Sequence, residues 1–441
     1  MGRNTRTETQ EGFSASEIRA YAAMVLVLAA IDVAASILYL TSSERSSGPG
    51  PLFGFSQLRW WGLVAAAAVG LAAVARRPPA AATARFDTTL ARMAFAGACG
   101  IAFFILRSWF INPDGALFPM KFMVDVPAKG FHATHDEMWE LYIHSKFWMY
   151  ANEYFGWSVA QSYQVLSCAA GVVFVFLMLT CCRRLVPLHW PLAFVACVSG
   201  GYMQLFFGDV ENYTLMTTLV MGYFLASVRA IDGRTSIVYP ALLLALALAF
   251  HLEAGFLLPS LVYLFVVAFQ RGQRFQVAVA LTGFALIVAG TLLFFHLQGL
   301  PIGDLVAHSQ AFGDSGPFRQ MLATPSLEYY FQIANLAFLL VPSWVILLAL
   351  IACRRIPLDA VNVHLVVASA GMTVLVMAWK AQLGVYNDWN LFAMAAVPIS
   401  LLVWRNVFQV VGAGRVPWPI VAMIALFFAH SYSWVIGNHW S

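Results

Sequence analysis

An all-α, polytopic integral membrane protein with about thirteen transmembrane helices is the fold class this chain predicts, on three observations. Of its 441 residues 61% are hydrophobic and 10% charged, with a mean hydropathy of +0.75, whereas soluble domains carry roughly 25% charged residues. The apolar residues gather into runs near the ~20 residues that a spanning helix needs. Basic residues, mostly arginines, stand at the ends of those runs and fall on one side when the runs are threaded alternately. The length leaves no room for a large soluble domain beside the spans. A net charge of +4, scattered along the chain, excludes nucleic acid as a partner.

Taken in order, residues 1–19 form a polar cytoplasmic tail with Arg3, Arg6 and Arg19. The run 20–41 is too long for a signal-peptide core and ends without a small-residue cleavage site, so it is expected to remain as the first span. With 60–75 and the connector RRPPAAATAR it makes an N-terminal hairpin over 20–90. A core over 91–404 contains the runs 91–111, 162–182, 187–207, 214–230, 237–252, 254–269, 275–297, 329–352, 362–379 and 389–404. Residues 405–441 add a last span near 417–436. With the N-terminus inside, seventeen of the 25 basic residues are cytoplasmic, and fourteen of the 21 acids lie on the opposite face. That threading suits a plasma (inner) membrane and sends the polar clusters to the extracytoplasmic side. Cys99, Cys168, Cys181, Cys182, Cys197 and Cys353 lie in apolar runs or at Arg-rich ends and are expected as reduced core residues.

Two outer loops, 112–160 and 298–328, are long for such a chain, and long loops in tight domains carry function or disorder. The first is too aromatic for disorder. Helical spacing over 135–153 puts Asp136, Glu140 and His144 on one stripe, which predicts an outer-loop juxtamembrane helix lying on the bilayer surface.

The candidate chemistry lies in five places. Asp114, in Asn112-Pro113-Asp114-Gly115, stands where a span emerges; a partly desolvated carboxylate there is a candidate general base, or a helix-terminating turn residue. His132, His135, Asp136, Glu137 and His144 crowd acids and imidazoles that suit a metal or a hydroxyl-rich substrate, with Lys121 and Lys146 nearby to receive a phosphate. Asp209, Glu211, Asn212 and Tyr213 share a short turn between two runs, and N-capping is the competing explanation. His251 and Glu253 interrupt an apolar stretch, where ionisable side chains are costly and functional by default. Asp388 opens the run at 389.

In that order Asp114-Gly115, the Leu141-Tyr142-x-His144-Ser145 segment, Phe207-Gly-Asp-Val-Glu-Asn-Tyr213 and Asn387-Asp-Trp-Asn-Leu-Phe392 resemble multi-pass glycosyltransferases of the GT-C superfamily. The nearest look-alikes are its protein-mannosyltransferase-like and aminoarabinose-transferase-like members, and the resemblance covers about residues 91–404. It implies transfer of a sugar from a polyprenyl-phosphate carrier to a glycan, lipid or protein acceptor on the extracytoplasmic face, usually with inversion. It also implies Asp114 as general base, with Asp209 and Glu211 contacting the carrier phosphate or a divalent metal such as Mg or Mn. Two departures stand out. A hairpin precedes the first core helix, and the usual paired acids of the first loop are a lone Asp114 with an Asp136-Glu137 doublet, so the base is either of these. Lys121, Lys129, Lys146, Arg319 and Lys380 are the cations towards which the lipid phosphate would depart. The alternatives are a polytopic membrane transporter, another extracytoplasmic transferase or ligase on lipid-linked glycans, and a non-catalytic assembly subunit.

Overall fold

The computed structural model describes residues 13–41, 88–109, 111, 115–301, 303, 326–379, 381 and 384–440. Among them every regular element is helical. α1 (Ala15–Thr41) and α2 (Thr89–Ile105) precede a 3-10 turn at Gly115–Leu117, then α3 (Phe118–Lys129) and α4 (Met138–Phe155). α5 (Val159–Leu185), α6 (Trp190–Val198) and a 3-10 segment at Gly201–Phe206 lead to α7 (Thr214–Ile231) and α8 (Val238–Phe250). The 3-10 segment Leu252–Leu257 opens α9 (Leu258–Gln270), and α10 (Arg274–Leu297) follows. Beyond residue 326 come α11 (Leu327–Leu340), α12 (Trp344–Ala352) and α13 (Ala360–Ala378). The 3-10 segment Trp389–Ala395 then runs into α14 (Ala396–Val411), followed by α15 (Trp418–Trp440).

Seven helical stretches among the described residues are long and apolar enough to cross a membrane, and the bent pair α11–α12 makes an eighth. The chain is an all-α, polytopic membrane protein. The thirteen expected runs resolve differently from thirteen spans. Run 60–75 lies outside the described residues. Runs 91–111 and 237–252 become helices of 17 and 13 residues, about 25 and 20 Å long, short of the ~30 Å hydrocarbon core. Run 187–207 divides into α6 and a 3-10 segment. Run 329–352 bends by 100° between α11 and α12, where Pro342 supplies no N–H and the residue before it, Val341, leaves the helical region at φ −144°. The carbonyl of Leu339, freed near that break, accepts from the Ser431 hydroxyl at 3.2 Å.

α2, α5, α7, α8 and α10 pack side by side in that order, and α13 joins α9 to α14. The stretch Trp389–Val411 is almost wholly buried, whereas α10 is almost wholly on the periphery. The bundle has two chemically distinct ends. At one, where α5 and α7 finish and α13 begins, arginines pair across helices: Arg184 with Asp232 (3.0 Å), Arg355 with Glu17 (2.6 Å) and Arg405 with Asp359 (3.0 Å). Arg271 there donates to the carbonyl of Ile231 at 2.7 Å. The other end, where α5 and α7 start and α8 stops, carries the carboxylates. Of the cysteines, Cys168, Cys181, Cys182 and Cys197 are buried and Cys99 is half-buried, all as free thiols, but Cys353 departs from the core expectation and is exposed at the end of α12.

Candidate functional site

The site is held together by the way two helices begin. α5 caps itself: Ser158 Oγ accepts from the Gln161 N–H at 3.2 Å while Gln161 Oε1 accepts from the Ser158 N–H at 2.8 Å, a reciprocal cap with Arg183 and Arg184 complementing the dipole at the far end. α7 has no side-chain cap of its own. Its first N–H groups still need acceptors, and Glu140 of α4 supplies them, accepting from Leu215 N–H at 3.0 Å and Met216 N–H at 3.1 Å. Glu140 is 0% exposed. The single stripe of Asp136, Glu140 and His144 expected on a bilayer-surface helix is therefore corrected. Asp136 and Glu137 precede α4, while Glu140 and His144 turn inward against α5 and the start of α7.

That clamp fixes the turn at 207–213. Gly208, at φ +75°, lets the chain reverse where a β-carbon would stand 2.8 Å from Arg107 Cβ. Gly115 meets the same turn so closely that a β-carbon would lie 2.2 Å from the Val210 carbonyl oxygen. Asn212, fully buried, accepts from the Tyr163 hydroxyl at 2.9 Å and donates to Glu137 Oε2 at 3.1 Å. Glu137 Oε1 faces His251 Nε2 at 3.4 Å. His251 Nδ1 accepts from the Glu253 N–H at 3.3 Å, so the proton directed at Glu137 sits on Nε2. The backbone joins in, with Leu252 N–H donating to the Asp136 carbonyl at 3.0 Å.

Around Tyr213, whose ring lies 5.0 Å from that of His251, the carboxylates of Glu253, Glu137, Glu211 and Asp388 are all within electrostatic reach. Asp136 reaches both His251 and Glu253 in the same way. Eight of the expected site residues thus come together: Asp136, Glu137, Glu211, Asn212, Tyr213, His251, Glu253 and Asp388. They arrive from the loop before α4, the turn before α7, the break between α8 and α9, and the turn before Trp389. Asp209 stands beside Asn390; burial pushes its carboxyl up to about 7, offset in part by the Asn390 amide and the Val210 N–H. Burial likewise pushes Glu140 up to about 8 against its two N–H donors and His251.

Other expected residues lie elsewhere. His144 stacks on Tyr163 at 3.9 Å and is fully buried, which pushes its imidazole down to about 3; it packs the scaffold. His132 Nδ1 is 2.5 Å from Asp125 Oδ2, and His135 Nε2 is 3.4 Å from the Pro301 carbonyl. Lys121 and Lys146 lie over the rings of Phe118 and Tyr142. Asp114, Arg319 and Lys380 fall outside the described residues. For a divalent metal, Asp209 and Glu211 have no third His, Cys, Asp or Glu donor grouped with them among the described residues. Sequence reasoning missed Glu140 as the cap of α7, Tyr163 as the support of Asn212 and Asn390 as the neighbour of Asp209. A signal existed for Asn390, within the Asn-Asp-Trp-Asn run.

Comparison with protein-family models, with curated proteins and with solved structures returns no match.

Proposed function

We propose that this protein is a membrane glycosyltransferase, GT-C-like in its core, that moves a sugar from a polyprenyl-phosphate carrier to a glycan, lipid or protein acceptor. One observation supports the reading above the others: carboxylates, an imidazole, an amide and a phenol from four distant segments meet at the bundle end opposite the paired arginines. Read with the arginine end inside, that end is extracytoplasmic, on a plasma membrane.

In the proposed reaction an acceptor hydroxyl attacks the anomeric carbon in line. The new C–O bond forms as the bond from carbon to phosphate oxygen breaks, the phosphate leaves with the electron pair, and the hydroxyl proton passes to a carboxylate. Two carboxylates are candidates for that proton: Asp114, on the resemblance, and Glu137, which Asn212 and His251 hold in one orientation. Positioning and electrostatics supply most of the rate, and a divalent metal at Asp209 and Glu211 would assist the departing phosphate when bound.

The test is release of label from a panel of radiolabelled polyprenyl-phosphate sugars by the purified full chain, with and without divalent metal. Turnover of one donor is expected. Loss of about 10²–10⁴-fold in Asp114→Asn, with Glu137→Gln near wild type, assigns the base to Asp114, and the reverse pattern assigns it to Glu137. No turnover and no donor binding overturn the reading. A second reading, a transporter, draws on the 100° bend between α11 and α12, since transporters use broken helices; substrate flux into proteoliposomes without donor turnover would favour it.

A further inference from the structure

His132 stands where α3 hands over to α4. Gly130, at φ +78°, ends α3 with its N–H on the Val126 carbonyl at 2.8 Å, and the chain turns back so that His132 meets Asp125, seven residues earlier. Ser145 of α4 pins the backbone from the other side, its Oγ accepting from the His132 N–H at 3.0 Å. The residue is 6% exposed, with its ring 5.5 Å from that of Phe122.

Its Nδ1 lies 2.5 Å from Asp125 Oδ2. A carboxylate only accepts, so Nδ1 carries the ring proton and Nε2 presents a lone pair. That lone pair is buried and has no hydrogen-bond partner among the described residues. The Trp148 Nε1–H, a donor, is buried in the same unpartnered state, and its ring lies 5.8 Å from that of Phe122. An acceptor and a donor are thus left over around one phenyl ring, although buried polar groups in folded proteins nearly always pair. A hydroxyl, which both donates and accepts, is the group that complements them.

His144 shows what a packing histidine looks like here. Its Nε2 is also unpartnered, but its Nδ1 faces the carbonyl of Glu140 on its own helix at 3.3 Å, and no carboxylate pairs with it among the described residues. His132 has its carboxylate, and Asp125 in turn is 27% exposed beside Lys129, 3.6 Å away, so the couple lies one side chain below the surface. Burial holds the His132 imidazole below its ordinary value; Asp125 and Glu137 oppose that and Lys121 adds to it, which leaves the ring mostly neutral at about pH 7. Glu137, five residues on, is within its electrostatic reach, so the couple borders the carboxylate cluster.

We propose that His132, oriented by Asp125, is a general base: a hydroxyl bound at Nε2 gives its proton to the imidazole. The O–H bond breaks with its electron pair left on oxygen, the N–H bond forms, and the Asp125 carboxylate stabilises the imidazolium. The identity of the hydroxyl rests on the transferase reading. There it is the acceptor's, its oxygen attacks the anomeric carbon, and the imidazole takes the proton that Asp114 or Glu137 would otherwise receive.

Two arms test this on the purified full chain. In the first, diethyl pyrocarbonate followed by peptide mass spectrometry reads whether a small reagent reaches Nε2. His132 is expected to be modified severalfold faster than His144. An unmodified His132 beside a modified His296, exposed at the end of α10, overturns the proposal. The second arm is donor turnover with the panel above. His132→Gln is expected to lose about 10²–10⁴-fold with donor binding retained and with the acid limb of the wild-type pH–rate profile gone. Added imidazole is expected to restore part of the turnover of His132→Ala, which a packing role would not allow, and Asp125→Asn to fall by a comparable factor through the wrong tautomer. His132→Gln near wild type, or a loss that imidazole leaves unrestored, overturns the proposal. Where the wild-type chain turns over no donor, the transferase reading falls, and the modification arm decides the base on its own.

Discussion

The two ends of the helix bundle solve the same problem, how to hold charge beside a membrane, in opposite ways. At the arginine end each acid meets a full counter-charge, and two of the three meet water as well: Asp232 beside Arg184 and Asp359 beside Arg405 are 38 and 41% exposed, Glu17 beside Arg355 19%. At the carboxylate end Glu140, Asp209, Glu211 and Glu253 are all 5% exposed or less. Backbone N–H groups reach Glu140 there, and Glu137 beside it takes an amide from Asn212 and the imidazole of His251. Solvated ion pairs are weak and replaceable, while a buried carboxylate held by hydrogen bonds is costly to form and costly to lose. The first end pairs its charges across helices; the second holds the candidate site.

This contrast breaks if the ends respond alike to substitution. The largest effect is expected from Gly115→Val, because any β-carbon there meets the Val210 carbonyl oxygen and displaces the turn bearing Asn212 and Tyr213. A misplacement of about 1 Å costs on the order of 10²-fold in rate, read as donor turnover. Glu140→Leu comes next, leaving the Leu215 and Met216 N–H groups without an acceptor at a cost of about 3 kcal/mol, read as a fall in apparent Tm in detergent. Smallest is Arg184→Ala, expected within about 0.5 kcal/mol of wild type. Equal losses in Glu140→Leu and Arg184→Ala would erase the distinction.

A pH series sharpens it. Burial holds Asp209 up to about 7 and Glu140 up to about 8, so the folded chain binds these protons more tightly than the unfolded chain does. Their stabilising contribution is full below the ordinary carboxylate range and is lost as pH rises through those values. Apparent Tm is therefore expected to fall between about pH 5 and about pH 9, and Asp209→Asn should flatten the lower part of that slope. A Tm that rises over the interval would show these carboxylates to be ionised and satisfied throughout.

Much of this was legible in the sequence, for physical reasons. Apolar length gives spans, and arginine placement separates the two ends. Asp209-Val-Glu-Asn-Tyr213 and His251-Leu-Glu253 were readable as breaks because polar residues at those depths have few other places to go. Run 329–352 reads as one span by hydropathy, although Pro342, with its missing N–H, marks the place of the bend. Glu140 was not legible as a cap. Its partners at Leu215 and Met216 are some 75 residues away, and periodicity within α4 alone cannot separate a buried carboxylate from a solvated one. The run 187–207 misleads for a related reason: hydropathy registers burial but not whether the buried backbone continues as a helix past Ser199 and Gly200.

The almost wholly buried stretch Trp389–Val411 bears on biogenesis. As it emerges from synthesis it is an apolar helix like any other span, yet in the finished protein almost none of its surface faces lipid. Most of its neighbours, among them α6, α12 and α13, are made before it, so they must keep a seat open that lipid occupies in the meantime. Insertion of this helix is then a displacement of lipid by close side-chain packing. Because it delivers Asp388 and Asn390 to the carboxylate end, the site is assembled late, by the last-but-one described helix to arrive.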